Sequence, residues 1–200
     1  LQFIANAFTA GDTYTFVLTA YITPIATASG SLTLEVNAPP SLGSFNVTPS
    51  TGSALGSVSA TEFFFNSPDW LDDIADYPLT YEFLYYTATG DNSQPSTLQV
   101  KSQKPIATGE LPLGLEATGF KIYNYAVVRD SLDASVETSH VSVVSQLVGT
   151  STTDAAANAL NSSLSDALST SDSGSVFSVV NSAGSTLNAV NCSLAVDCGS

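Results

Sequence analysis

Four carboxylates crowd into one short stretch: Asp69, Asp72, Asp73 and Asp76 fall within eight residues. Clustered carboxylates, helped by backbone oxygens, are what Ca2+ takes, since it gathers about six to eight oxygen ligands. The spacing does not match an EF-hand loop, and surface turns also use aspartates to bond their own backbone. A solvated turn is therefore the better reading, with Ca2+ as the alternative. Ca2+ is the only cofactor these residues would take, apart from covalent glycan. Asn46-Val-Thr, Asn161-Ser-Ser and Asn191-Cys-Ser have the acceptor pattern for N-linked sugar in a secreted eukaryotic chain. Asn46 is the weakest of the three because Pro49 follows its threonine.

Other chemistry is sparse. Cys192 and Cys198 are the only cysteines, with small Ser193, Ala195 and Gly199 beside them. In an oxidising compartment they could close a small loop if their Cα atoms come within about 7 Å. Pairing with cysteines outside this segment is the alternative. Neither has a histidine or cation near it in sequence to make a catalytic thiolate. His140 is the only histidine, so any His-based triad would need it. It stands in the alternation of a late strand, flanked by Ser139 and Ser142, and reads as a solvated strand residue. There is no nucleophile elbow, phosphate loop, Cys-x-x-Cys or His-Glu-x-x-His pattern. No catalytic or cofactor-binding residue is assigned, and the chain reads as a non-enzyme. Tyr85, Tyr86, Tyr123 and Tyr125 could offer sugar a stacking platform, although their strand positions also suit the inner faces of a sandwich. Core packing is the better fit.

Eighteen acidic residues face only Lys101, Lys104, Lys121 and Arg129, for a net charge of −14. Such a surface repels phosphate backbones and anionic lipid, which excludes nucleic acid and membrane surfaces as partners. No apolar run approaches the roughly 20 residues of a membrane span, so this segment makes no direct membrane insertion. With few charges, solubility must come from abundant Ser and Thr, from amides and from sugar. That points to the secretory pathway and an extracellular or cell-surface location. There is no Met and no signal-like opening, which makes Leu1 a processing point or a start within a longer chain.

The elements that position these residues are strands. In Leu79–Tyr85 the odd positions Leu79, Tyr81, Phe83 and Tyr85 are apolar or aromatic, while Thr80 and Glu82 alternate with them. Pro78 limits where that strand begins. Trp70, the only tryptophan, is expected to anchor a two-sheet sandwich beside it, with Tyr81 and Phe83 in the core. Further strands are predicted at Phe45–Thr48, Ala60–Phe65, Thr97–Lys101, Ile122–Arg129 and His140–Val148. Gly52, Gly56, Gly90 and Gly109 are expected between strands.

Residues 1–36 read as the last strands of a preceding, incomplete sandwich. Tyr14, Phe16, Leu18, Ala20 and Ile22 share one face; Leu32, Leu34 and Val36 repeat the alternation. The Gly11-Asp12 turn before Tyr14 looks like the corner before a late sandwich strand. Setting Thr9-Ala-Gly11 on Ala117-Thr-Gly119 relates this pair to the later one, although Phe16 then falls on Asn124. Residues 37–43, with Pro39-Pro40, form a stiff linker. Residues 44–148 make a complete sandwich. Residues 149–200 form a Ser/Ala-rich helical segment ending in the cysteine pair. There Ala156, Leu160, Leu164 and Leu168 line one face behind a Thr153-Asp154 cap. Val176, Val179, Val180, Ala183 and Leu187 outline a weaker second helix.

Pro39-Pro40, Gly43, Val47, Pro49, Gly52, Ala54-Leu55, Trp70-x-Asp72 and Pro78-Leu79-x-Tyr81-x-Phe83 stand in order along this region. Val127-Val-Arg-Asp-Ser-Leu132 and Thr186-Leu-Asn188 continue the series. Together they resemble the receptor-for-egg-jelly (REJ) module of polycystin-like and protist surface proteins, over roughly residues 37 to 190. The usual cysteine before the tryptophan is replaced by Asn66, Ser67 and Pro68. The resemblance implies immunoglobulin- or fibronectin-III-like sandwiches within a long extracellular region. The expectation is a mainly β chain with such sandwiches in tandem and a short helical segment after them. Its role would be structural or adhesive, as a unit of a cell-surface or filamentous glycoprotein. Its partners would be other copies or neighbouring domains in an end-to-end array. A carbohydrate-binding receptor module, with glycans as partners, is the alternative.

Overall fold

A computed structural model describes residues 3–4, 7–22, 26–54, 60–87, 95–146, 153–169, 176 and 179–180. The strands are β1 (Thr13–Ile22), β2 (Ala26–Glu35), β3 (Asn46–Thr48), β4 (Thr51–Ser53), β5 (Glu62–Asn66), β6 (Thr80–Tyr86), β7 (Ser96–Ser102), β8 (Ile106–Glu110), β9 (Lys121–Arg129) and β10 (Ser135–Gln146). The helix α1 spans Thr153–Ser169. One sheet has the order β4-β10-β9-β6-β7 and a second β3-β5-β8, while among the described residues β1 and β2 pair only with each other. Neighbours are antiparallel except β4, which runs parallel to β10. The five- and three-stranded sheets form the immunoglobulin/fibronectin-III-like sandwich.

Alternation builds the core. In β6 the burial pattern is strictly two-fold, with Tyr81, Phe83 and Tyr85 inside. Phe65 from β5 meets Phe83 across the sandwich with ring centroids 6.0 Å apart. Phe45, just before β3, stacks on Phe83 at 5.7 Å and 16°. Trp70 closes this end at 8% exposure, and its Nε1 donates to Ser67 Oγ at 2.9 Å. Ser67 Oγ in turn donates to the Ser44 carbonyl at 3.1 Å. Gly43 lies flat against the indole, where an added Cβ would overlap the ring.

Two strands depart from the expected pattern. β4 and β8 contain Gly52 and Gly109, which were expected in loops. Each glycine lies under a side chain: a Cβ on Gly52 would meet Thr61 Cβ at 2.6 Å, and one on Gly109 would meet Leu98 Cδ1 at 2.9 Å. A glycine inside a strand marks such a close approach. β10 also starts at Ser135, earlier than expected, because it pairs with β9 back to the Ser135–Arg129 step.

The β1–β2 ribbon places Tyr14, Phe16, Leu18 and Ala20 opposite Leu34, Leu32, Gly30 and Ala28. Phe3 and Phe8 pack against Phe16, and Phe8 meets Tyr14 edge-on at 4.8 Å. Beyond that aromatic cluster the face is open, with Leu18 79% and Leu32 68% exposed.

Of the expected α1 face, Leu164 is partly covered and Leu168 is not, while the side chains of Ala156 and Leu160 lie outside the described residues. Ala167 is buried, Ser163 and Leu164 are half-buried, and Leu168 is 58% exposed. Ser163 Oγ donates to Glu110 Oε2 at 3.3 Å, tying α1 to β8. Of the second predicted helix, Val176, Val179 and Val180 are helical; Ala183 and Leu187 lie outside the described residues.

Trp70→Ala should cost about 3–5 kcal/mol, the usual aromatic truncation range, in chemical denaturation. Gly43→Ala should destabilise as well and red-shift the Trp70 emission, because the indole must leave its seat. A second expectation concerns pH. Burial raises the Glu110 pKa above its ordinary 4.5, as do Glu62 and Asp166, while the Ser163 hydrogen bond partly offsets this. A raised carboxyl pKa means the folded state prefers the proton. The favourable contribution is complete below pH 4.5 and is lost as pH rises through the folded value. Glu110→Gln should therefore stabilise the protein at pH 7, and its advantage over wild type should vanish below pH 4.5 in thermal melts.

Candidate functional site

The acidic site is built from two turns at one end of the sandwich. After Trp70 the chain bends through Leu71, which forms an isolated bridge with Ser41, into a 3-10 turn at Ile74–Asp76. The Asp73 N–H donates to Asp72 Oδ1 at 2.9 Å, and the Asp76 N–H donates to the Asp73 carbonyl at 2.9 Å. The second turn joins β9 to β10. There Asp130 Oδ1 accepts the N–H groups of Leu132 at 2.8 Å and Ala134 at 2.9 Å. Asp133 sits at φ 65° within the same turn. The Ser131 N–H donates to the Asp76 carbonyl at 2.8 Å, which locks the two turns together.

This brings Asp72, Asp76 and Asp130 into one cluster, with a carboxylate oxygen from each within 4.8 Å of the others. Asp130 is only 1% exposed. Asn37, the second residue after β2, reaches in and donates from Nδ2 to Asp130 Oδ2 at 2.6 Å. The Asp76 pKa is raised by desolvation first, then by the charges of Asp72, Asp130, Asp73 and Glu35. Cations are engaged nearby but not in the cluster. Lys101 pairs with Asp133 at 2.6 Å and holds that carboxyl below its ordinary 3.8, while Arg129 pairs with Glu82 at 2.9 Å.

Of the four aspartates singled out by sequence, Asp72 and Asp76 converge and Asp69 and Asp73 do not join them. Asp69 is exposed at φ 66° beside Trp70, and Asp73 is exposed with its backbone serving Asp72. Asp130 and Asn37 escaped the sequence reading because they lie far from this stretch in the chain. The turn character of Asp130-Ser-Leu-Asp133 was the only signal.

The remaining candidates separate. Tyr85 is buried in the core, so it takes no part in an outer platform. Tyr86, Tyr123 and Tyr125 are half-buried on the outer face of the five-stranded sheet, and Tyr86 meets Tyr125 edge-on at 5.1 Å and 80°. His140 is not a solvated strand residue: it is half-buried opposite Asn124, and its Nε2 is buried without a partner among the described residues. Asn124, wholly buried, donates from Nδ2 to the His140 carbonyl at 3.2 Å and to Ser142 Oγ at 2.9 Å. Asn46 is exposed on β3 and Asn161 is exposed on α1. Asn191, Cys192 and Cys198 lie outside the described residues.

No helix among the described residues is long and apolar enough to cross a membrane. No curated protein matches the chain. A family model for the REJ domain matches residues 1–182. That match takes in β1 and β2, which the sequence resemblance had left outside. REJ domains are non-catalytic modules, typically extracellular or in polycystin-like membrane proteins. Ribbon, sandwich and α1 all fall within the matched span, and the chain belongs to the REJ domain family.

Proposed function

We propose that the chain is an extracellular structural or adhesive module without catalysis, a unit of an end-to-end array on the cell surface or in a filament. In this reading the β1–β2 ribbon is the last hairpin of an incomplete sandwich, and a neighbouring module supplies the missing strands. The observation that carries it is the open apolar face of the ribbon, Leu18 and Leu32 above all, beside a sandwich with a closed core. A two-stranded ribbon is marginal in water by itself, and open strand edges invite pairing. The corner leading into β1 supports the same reading. The Thr9 N–H donates to the Tyr14 hydroxyl at 2.9 Å, the kind of tyrosine corner found before a late sandwich strand. The exposed sequons at Asn46 and Asn161 suit a glycosylated surface.

A sugar-binding role is the second reading, favoured by the grouping of Tyr86, Tyr123 and Tyr125 on one outer face. Specific binding on a glycan array, lost in Tyr86→Ala, would favour it.

Hydrogen exchange tests the array. In the native protein the β1 and β2 amides should exchange as slowly as those of β9 and β10. In the isolated 200-residue chain they should exchange much faster. Equal protection in the isolated monomer would overturn the reading. Weighing the denatured native polypeptide then tells whether the neighbouring strands belong to the same chain or to another copy.

A further inference from the structure

We propose that Asp72, Asp76 and Asp130, joined by the amide oxygen of Asn37, form a Ca2+ site between the β1–β2 ribbon and the sandwich. Three carboxylates converge within 4.8 Å, and one of them, Asp130, is wholly buried. Convergence of like charges in a low-dielectric place is unfavourable unless something positive lies among them. The two ion pairs formed by Lys101 and Arg129 go instead to Asp133 and Glu82.

A second observation comes from hydrogen bonding. Asp72 Oδ2 and Asn37 Oδ1 are each buried to less than 1 Å² of exposed atom surface, and neither has a hydrogen-bond partner among the described residues. Buried acceptors of this kind are rare because leaving them unsatisfied is costly. They come from two different segments: Asp72 is a member of the carboxylate cluster, and Asn37 is bonded to it through its Nδ2. A cation lying between them would satisfy both.

The carboxylates are also held as ligands are held. Asp72 fixes Oδ1 on the Asp73 N–H, and Asp130 fixes Oδ1 on the N–H groups of Leu132 and Ala134. Asp72 keeps Oδ2 without a hydrogen bond among the described residues, while Asp130 Oδ2 accepts from Asn37. Asn37 Nδ2 touches Asp130 Oδ2, so its amide is already seated at the site. Every donor is a hard oxygen, with no thiolate or imidazole among them, which selects Ca2+ or Mg2+ over transition metals. Donors gathered from three separate segments suit the larger, geometrically tolerant Ca2+ rather than an ion demanding a rigid octahedron.

Bound there, Ca2+ would tie the residue that leaves the ribbon to the β5–β6 and β9–β10 connections, setting the ribbon's direction. This differs from the array reading, because the isolated chain can bind the ion whether or not it assembles.

The test is calorimetric titration of CaCl2 into the EGTA-stripped 200-residue chain, with MgCl2 as comparator and thermal melts alongside. One saturable Ca2+ site is expected, with Kd on the order of 10⁻⁴–10⁻³ M as in extracellular modules, and a rise in Tm on Ca2+ addition. Asp72→Asn, Asp76→Asn and Asn37→Ala should each weaken binding by about tenfold or more. Asp69→Asn and Asp73→Asn should leave it unchanged. Asp130→Asn is less informative because Asp130 also holds its turn, so Asp72 and Asp76 carry the test. Absence of binding at millimolar Ca2+, binding indifferent to Asp72→Asn and Asp76→Asn, or an equal response to Mg2+ would each overturn the proposal.

Discussion

The contact on which the rest depends is that of Phe65 with Phe83 across the sandwich, with Phe45 stacked on both. Each ring is contributed by a different part of the chain, so their burial fixes β5, β6 and the approach to β3 at once. Burying a phenylalanine is worth about 1.5–3 kcal/mol, and ring pairs add about 0.5–1.5 kcal/mol. That energy has to offset the closing of long loops between the strands. Trp70 and Gly43 complete the same end: the indole fills it only because residue 43 has no side chain. The Trp70–Ser67–Ser44 hydrogen-bond chain satisfies the polar atoms that the packing buries.

The seated indole has an electrostatic consequence. Directly after Trp70 the chain must turn back to start β6, and it does so with aspartates. The turn after β9 ends at the same place, and its Asp130 is buried and accepts from Asn37. Packing at one end of the core thus gathers negative charge at that edge, next to the residues leading out of the ribbon. Desolvation first, and then this crowding, raise the pKa of Asp76.

Ribbon and sandwich obey the same alternation but end differently. β6 and β9 have a second sheet to face, and their inward residues are buried. Among the described residues, β1 meets the rings of Phe3 and Phe8, so the ribbon's pattern is written in full and covered in part. Asn124 shows the difference within related positions. Where the ribbon has Phe16 among aromatics, β9 has an amide that cross-links to β10 inside the sandwich.

Much of the fold was legible in the sequence because period-two alternation is a local signal. Leu79, Tyr81, Phe83 and Tyr85 announce β6, and the run Ile122–Arg129 announces β9. The glycines of β4 and β8 concealed their strands, since a strand glycine makes sense only once Thr61 or Leu98 is known to lie above it. One residue of the α1 face departs for a similar reason: helical spacing names Leu168, which is exposed, whereas Ser163 bonds to β8 and Ala167 is buried. Of the acidic site, sequence could name Asp72 and Asp76 by proximity alone, and it named Asp69 and Asp73 with equal force. Only the tertiary structure could separate them. Which carboxylates converge depends on where the β9–β10 turn and Asn37 arrive, and those contacts join residues separated by 93 positions. Composition and alternation therefore determined the class of fold and the acidic character, because both act along the chain. The site was decided by packing, because burial and convergence are properties of space.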